Sequence, residues 1–224
     1  RGSDNFSVPI IAALSYDIFL INYTHGTLNN LLIWTFVSAI AFYGFYQLQS
    51  LNKSGAISAY IMGLIIYGTG GFNWIIPILV FFILSSVLSK LSKTENTIQK
   101  GSQRDIMQVM ANGGVATIVS VLNFYYPIDQ LFILYIAAIA AATADTWASE
   151  IGSFSNRDPI HVIKLKRVIK GTSGGISAIG TLGSVIGAAI IGITGYLLGL
   201  SGLLLIIIII SGTVGSLIDS LIGG

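Results

Sequence analysis

Eight apolar stretches follow one another along this chain, near residues 8–24, 28–48, 55–72, 74–91, 106–126, 130–152, 175–199 and 200–222, with short connections between them. Each approaches the roughly 20 residues a helix needs to cross a bilayer, and within hydrocarbon a helix is the segment that satisfies its own backbone hydrogen bonds. The expected fold class is therefore all-α, a polytopic transmembrane helix bundle with about eight spans. Hydrophobic residues make up 54% of the chain and charged ones 9%, which leaves no room for a separate soluble catalytic domain. Residues 1–224 read as a single integral membrane domain, with Arg1-Gly2-Ser3 as a vector-derived remnant. The absence of cysteine excludes disulfides, thiolate metal sites and cysteine nucleophiles, and two isolated histidines make no histidine-rich metal cluster.

Charge is unevenly spread. Lys53, then Lys90, Lys93, Lys100 and Arg104, then Arg157, Lys164, Lys166, Arg167 and Lys170 fall in alternate connections, while the loops around 25–29, 69–73, 124–129 and 199–202 carry no Lys or Arg. The positive-inside rule places every basic loop, and hence both termini, in the cytoplasm. An integral protein of the plasma membrane with its active site on the cytoplasmic face is the resulting expectation. That face calls for an anionic partner, either lipid headgroups or phosphorylated substrates, and nothing in the pattern calls for nucleic acid.

One apolar segment ends in ionisable groups: Ala144-Asp145-Thr146-Trp147-Ala148-Ser149-Glu150-Ile151-Gly152. A charge at the centre of a bilayer costs roughly 2.5–3.5 kcal/mol on insertion scales, so such groups face partners, water or ions. Asp145 and Ser149 share a helix face, and Thr146 stands above Ser149 and Glu150. Asp145 and Glu150 are separated by roughly 140° around the axis, so one straight helix does not chelate an ion with both. Asp219, in Ser216-Leu217-Ile218-Asp219-Ser220, is a natural third oxygen donor. Hard oxygens of this kind suit Mg²⁺, which binds through one or two carboxylates plus substrate phosphates. The competing reading of Asp145, Glu150 and Asp219 is a set of interhelical hydrogen bonds.

Two further clusters lie on the same membrane face. Lys164, Lys166 and Arg167 run into Gly171-Thr172-Ser173-Gly174-Gly175, where glycines let backbone N–H groups approach a phosphate and the cations neutralise it. Arg104, Gln108 and Asn112 follow helical spacing inward from the cytoplasmic edge, with Arg104 either gripping a phosphate or anchoring at the interface. Ser54-Gly55-Ala56-Ile57-Ser58-Ala59 nearly repeats as Ser173-Gly174-Gly175-Ile176-Ser177-Ala178, which would fit an internal duplication or chance. Glycines 180, 183, 187, 192 and 195 in the seventh span read as a close-packing stripe.

Taken in order, Ser54-Gly55-Ala56, Gln108 to Gly114, Ala144 to Gly152, Gly171 to Gly175 and Gly215 to Ser220 resemble the integral membrane family that includes plant phytyl-phosphate kinase, over roughly 50–224. Residues 1–49 lie outside that likeness. Ile169-Lys170 stand where the family often carries prolines. The resemblance implies a Mg²⁺-dependent prenyl-phosphate kinase that transfers a phosphoryl group from a nucleotide, CTP, to an isoprenoid monophosphate. Taken with the residue reading above, the catalytic candidates are Asp145, Glu150 and Arg104, the metal ligands Asp145, Glu150 and Asp219, and the substrate contacts Ser54, Gln108, Asn112, Thr146, Ser149 and the basic Gly-rich turn. A transporter or flippase of a lipid or small anion, and a membrane cytidylyltransferase, are the rival classes; a homo-oligomer is compatible with all three.

Overall fold

The computed structural model describes residues 4–92 and 103–224, so Arg1-Gly2-Ser3, Lys93 and Lys100 lie outside the described residues. Eight helices account for almost all of them: α1 (Asp4–Thr24), α2 (Leu28–Gln47), α3 (Lys53–Gly70), α4 (Phe72–Leu91), α5 (Ile106–Tyr125), α6 (Asp129–Ser153), α7 (Ala178–Leu197) and α8 (Gly202–Ile222). The all-α bundle is as expected, and the element boundaries lie within a few residues of the apolar stretches. Seven of the helices are long and apolar enough to cross a membrane by length and composition. The exception, α3, carries Lys53, Ser54, Ser58 and four glycines, and it packs against α2, α4 and α5. A helix shielded by its neighbours does not need the apolar perimeter that lipid demands.

Local chemistry starts the helices. The side chains of Asn52, Asp105, Ser177 and Ser201 accept from the backbone N–H of Gly55, Gln108, Gly180 and Leu204, capping α3, α5, α7 and α8. Each satisfies one of the donors that a helix start leaves open. The reversal between α3 and α4 falls at Gly71, whose φ of +71° a side chain would disfavour.

Helix α6 lies at the centre, flanked by α4, α5, α7 and α8. Its contact with α7 is made of backbone. A Cβ on Gly180 would come within 2.7 Å of the Ala148 carbonyl oxygen, and one on Gly183 within 2.7 Å of that of Trp147. The stripe of small residues therefore packs helices, as its spacing suggests. Gly183→Leu should force α6 and α7 apart and destabilise the bundle by about 3 kcal/mol or more, read as unfolding of the detergent-solubilised protein at lower temperature.

The connections sort by end. Leu51 pairs with Arg104 as an isolated bridge, Ser92 at the end of α4 meets Glu150 near the end of α6, and Gly174 lies against Gly224, so the α2–α3 and α6–α7 connections, the described ends of the α4–α5 connection and the end of α8 gather at one pole. Tyr67, Asn22 and Asn123 meet at the other. Charge and packing thus agree on two poles, and the basic one is assigned to the cytoplasm by the positive-inside expectation alone. A cysteine at exposed Asn156 should resist an impermeant thiol reagent applied outside cells, while one at exposed His25 should react. The reverse labelling would invert the topology, and the chain's lack of native cysteine keeps the background clean.

The sequence likeness of residues 54–59 and 173–178 does not extend to conformation. Ser54 and Gly55 lie in the first turn of α3, whereas Gly174 has φ +75° in a turn ahead of α7. What the two share is local sequence.

Candidate functional site

A cavity of about 610 Å³ opens at the basic pole between the ends of α6, α7 and α8. Asp145 and Ser149 reach it from α6, Thr181 and Ser184 from α7, Ser216 and Asp219 from α8, and the whole Gly171–Gly175 turn forms its rim. Asp145 and Asp219 are close enough to sense each other's charge. Two regions that the sequence separates by more than seventy residues thus share one pocket.

The rim is built by a small sheet. Ile160–His161 (β1) pairs antiparallel with Gly175–Ile176 (β2), in the register Ile160 with Ile176 and His161 with Gly175. His161, 2% exposed, accepts from the N–H groups of Ile163 and Lys164 through Nδ1, so its ring scaffolds the loop. Gly174 is held between this loop and the end of α8: an added Cβ would lie 2.7 Å from Gly224 Cα and 3.1 Å from the Ser220 carbonyl oxygen. The turn and Asp219 are consequently fixed relative to each other.

Several expected residues lie elsewhere. Glu150 accepts from Ser89 and Ser92 at the end of α4 and does not line the cavity. The set Asp145, Glu150 and Asp219 is therefore not brought together; among the described residues no three acidic, histidine or cysteine side chains are placed to hold one ion. The angle between positions 145 and 150 on a continuous helix accounts for the separation. Arg104 sits 5.5 Å from the ring centroids of both Phe81 and Phe82, and its Nη1 donates to Ser86 at 3.5 Å. Burial lowers its pKa from the usual arginine value, and the charge of Glu150 opposes that shift. Arg104 and Asn112 border a separate apolar cleft of about 40 Å³, too small for an isoprenoid chain. Gln108 is exposed, and Thr146 bonds back to the Ala142 carbonyl. Ser54 is exposed and donates to Asn52 Oδ1, while Gly55 presses on the Arg104 carbonyl.

Lys164, Lys166 and Arg167 are exposed and stand outside the cavity; the cation that lines it is Lys170, whose Nζ donates to the Ser155 carbonyl. Sequence reading also passed over Ser177, Thr181, Ser184, Ser216 and Ser220 as site residues. Their spacing of three to four was the available signal, since it sets each group on one helix face.

The donors present suit a hard divalent ion. Two carboxylates face one cavity with several hydroxyls, and among the described residues no soft or imidazole ligand lines it.

This polar cup in a membrane bundle belongs to a known class. The chain is a member of the integral membrane protein family DUF92, which it matches over residues 35–224, fifteen residues further toward the N-terminus than the sequence likeness reached and so into α2. Among its relatives, an uncharacterized membrane protein of Methanocaldococcus jannaschii is 36% identical over 78% of this chain and 74% of its own length. Protein PGR of Arabidopsis thaliana is 29% identical over 84% of this chain and 75% of its own. The chloroplastic protein VTE6 of the same plant is 25% identical over 76% of this chain and 53% of its own. No solved structure matches the chain.

Proposed function

We propose that this protein is a membrane-embedded kinase that transfers the terminal phosphoryl group of a nucleotide, CTP, to an isoprenoid monophosphate, yielding the prenyl diphosphate. The observation that carries this reading is the single cavity holding Asp145, Asp219 and the Gly171–Gly175 turn at the mouth of a lipid-embedded bundle. The family relationship supports it through VTE6 and through the family's likeness to plant phytyl-phosphate kinase.

The chemistry asks little of the protein. A phosphate monoester has a second pKa near ~6 and is anionic at neutral pH, so its oxygen attacks the γ-phosphorus without a general base. The bond from γ-phosphorus to the β–γ bridging oxygen breaks, and CDP leaves with that oxygen. Catalysis then reduces to alignment and charge neutralisation. Asp145 and Asp219 would hold Mg²⁺, which supplies electrostatic stabilisation of the phosphates when bound. The Thr172 and Gly175 N–H groups bond to the Ile169 and Thr172 carbonyls, so Gly171, Ser173 and Gly174 would offer theirs to the nucleotide, and Lys170 adds positive charge at the same rim. Lys164, Lys166 and Arg167 stand outside as an electrostatic approach for the anion.

The test is direct: purified protein with Mg²⁺, each labelled nucleotide and a panel of prenyl phosphates, with products identified by mass. A prenyl diphosphate and a nucleoside diphosphate are expected. A nucleotidyl-lipid with released pyrophosphate would make the protein a cytidylyltransferase, and no product with any pair would remove the kinase reading.

A further inference from the structure

The floor of the cavity holds a polar group that the transfer chemistry above leaves unused. Ser184 is 1% exposed, it lines the cavity, and among the described residues its Oγ has no hydrogen-bond partner. Five other buried helix hydroxyls in this bundle are satisfied. Ser38, Ser58 and Ser120 donate to the carbonyl three residues earlier, and Thr143 and Thr194 to the one four residues earlier. A buried hydroxyl without a partner is costly, so its persistence points to a ligand.

Helix register says what shares its level. A Cβ on Gly212 of α8 would touch Ala140 of α6 and Ala188 of α7, each at 3.1 Å, which fixes one layer of the three helices. One turn toward the basic pole, that layer becomes Ala144, Ser184 and Ser216, with Asp145 next to Ala144. The floor is thus one carboxylate and two serines, with Asp219 a turn nearer the mouth. Among the described residues lining the cavity Lys170 is the one cation, and its ammonium is engaged by the Ser155 carbonyl at the rim. An anion at the floor would face uncompensated carboxylates, whereas a divalent cation would find hard oxygens on three helices.

We propose that Ser184 is a ligand of that cation, binding it through Oγ beside Asp145 on the cavity floor, so that the metal site exists before any nucleotide arrives. This rests on the reading of Asp145 and Asp219 as cation ligands. With two carboxylates facing the cavity, a neutral hydroxyl and water complete a hard-ion shell, as Mg²⁺ prefers.

Mn²⁺ binding to the purified protein, without nucleotide or lipid phosphate, tests this by electron paramagnetic resonance of the free ion. Ser184→Ala should weaken Mn²⁺ by about tenfold or more. Its metal-free melting temperature should not fall, because the substitution removes an unsatisfied group. Ser184→Cys should shift preference from Mn²⁺ toward Cd²⁺, a softer ion that favours sulfur. Absence of Mn²⁺ binding by the wild-type protein, or wild-type Mn²⁺ affinity in Ser184→Ala with no Cd²⁺ gain in Ser184→Cys, would overturn the proposal. An Ala variant that raised only the prenyl-phosphate KM would assign the hydroxyl to phosphate instead. Intact metal results beside a failed transfer assay would sink the kinase reading alone.

Discussion

Asp145→Asn should lower phosphoryl transfer by at least ~10²-fold while the bundle stays folded in detergent, because the amide keeps the shape and hydrogen bonding of the carboxylate but not the charge a hard cation requires. Asp219→Asn should follow it. Both residues line the same cavity, so each variant should also need a higher Mg²⁺ concentration for half-maximal rate. Glu150→Gln should differ. Its carboxylate accepts from Ser89 and Ser92 and sits within electrostatic reach of Arg104, so neutralising it should loosen the junction of α4 with α6 more than it changes the metal requirement. Equal Mg²⁺ dependence in all three variants would return Glu150 to the metal.

Gly174→Val should reduce both nucleotide affinity and turnover, with kcat/KM falling by ~10²-fold or more, since a mispositioned contact of about an ångström can cost that much. Two effects compound. Residue 174 has φ +75°, which a β-branched side chain disfavours, and the side chain would enter the space of Gly224 Cα and the Ser220 carbonyl. Because that displacement reaches the end of α8, it should disturb Asp219 as well. Neutralising Lys164, Lys166 and Arg167 together should instead raise the nucleotide KM with little change in kcat, and the rise should shrink at high salt. A Gly174→Val enzyme with unaltered kinetics would remove the turn from the site.

The bundle was legible because lipid imposes a simple code: long apolar runs separated by polar turns must be helices. α3 was legible as an element, yet its shortfall as a lipid-facing span follows from a position packed against α2, α4 and α5 that no single segment encodes. At the candidate site, Asp145, Ser149, Asp219 and the Gly-rich turn were readable from charge in apolar surroundings and from glycine clustering. Lys170 was obscured by its more numerous basic neighbours, since which cation faces the cavity depends on how β1 and β2 fold the loop. Ser184 and Ser216 were hidden for another reason. In a helix full of glycine and isoleucine, an isolated serine reads as packing, and only the antiparallel register of α6 and α7 sets it opposite a carboxylate. Arg104 and Glu150 were legible as functional candidates, but their aromatic and serine partners come from α4, which residue spacing within α5 or α6 cannot reveal.

Beyond the floor of the cup the three central helices pack closely. Ala140, Ala188 and Gly212 touch, and a turn further on Ile136, Ile191 and Ile208 are each 0% exposed. An ion admitted at the basic pole therefore meets two layers built of alanine, glycine and isoleucine, where desolvation would cost several kcal/mol. Under the proposed reading, the bundle would act as an insulated vessel: highly charged reactants would come and go at one surface while the electrochemical gradient across the bilayer is left intact.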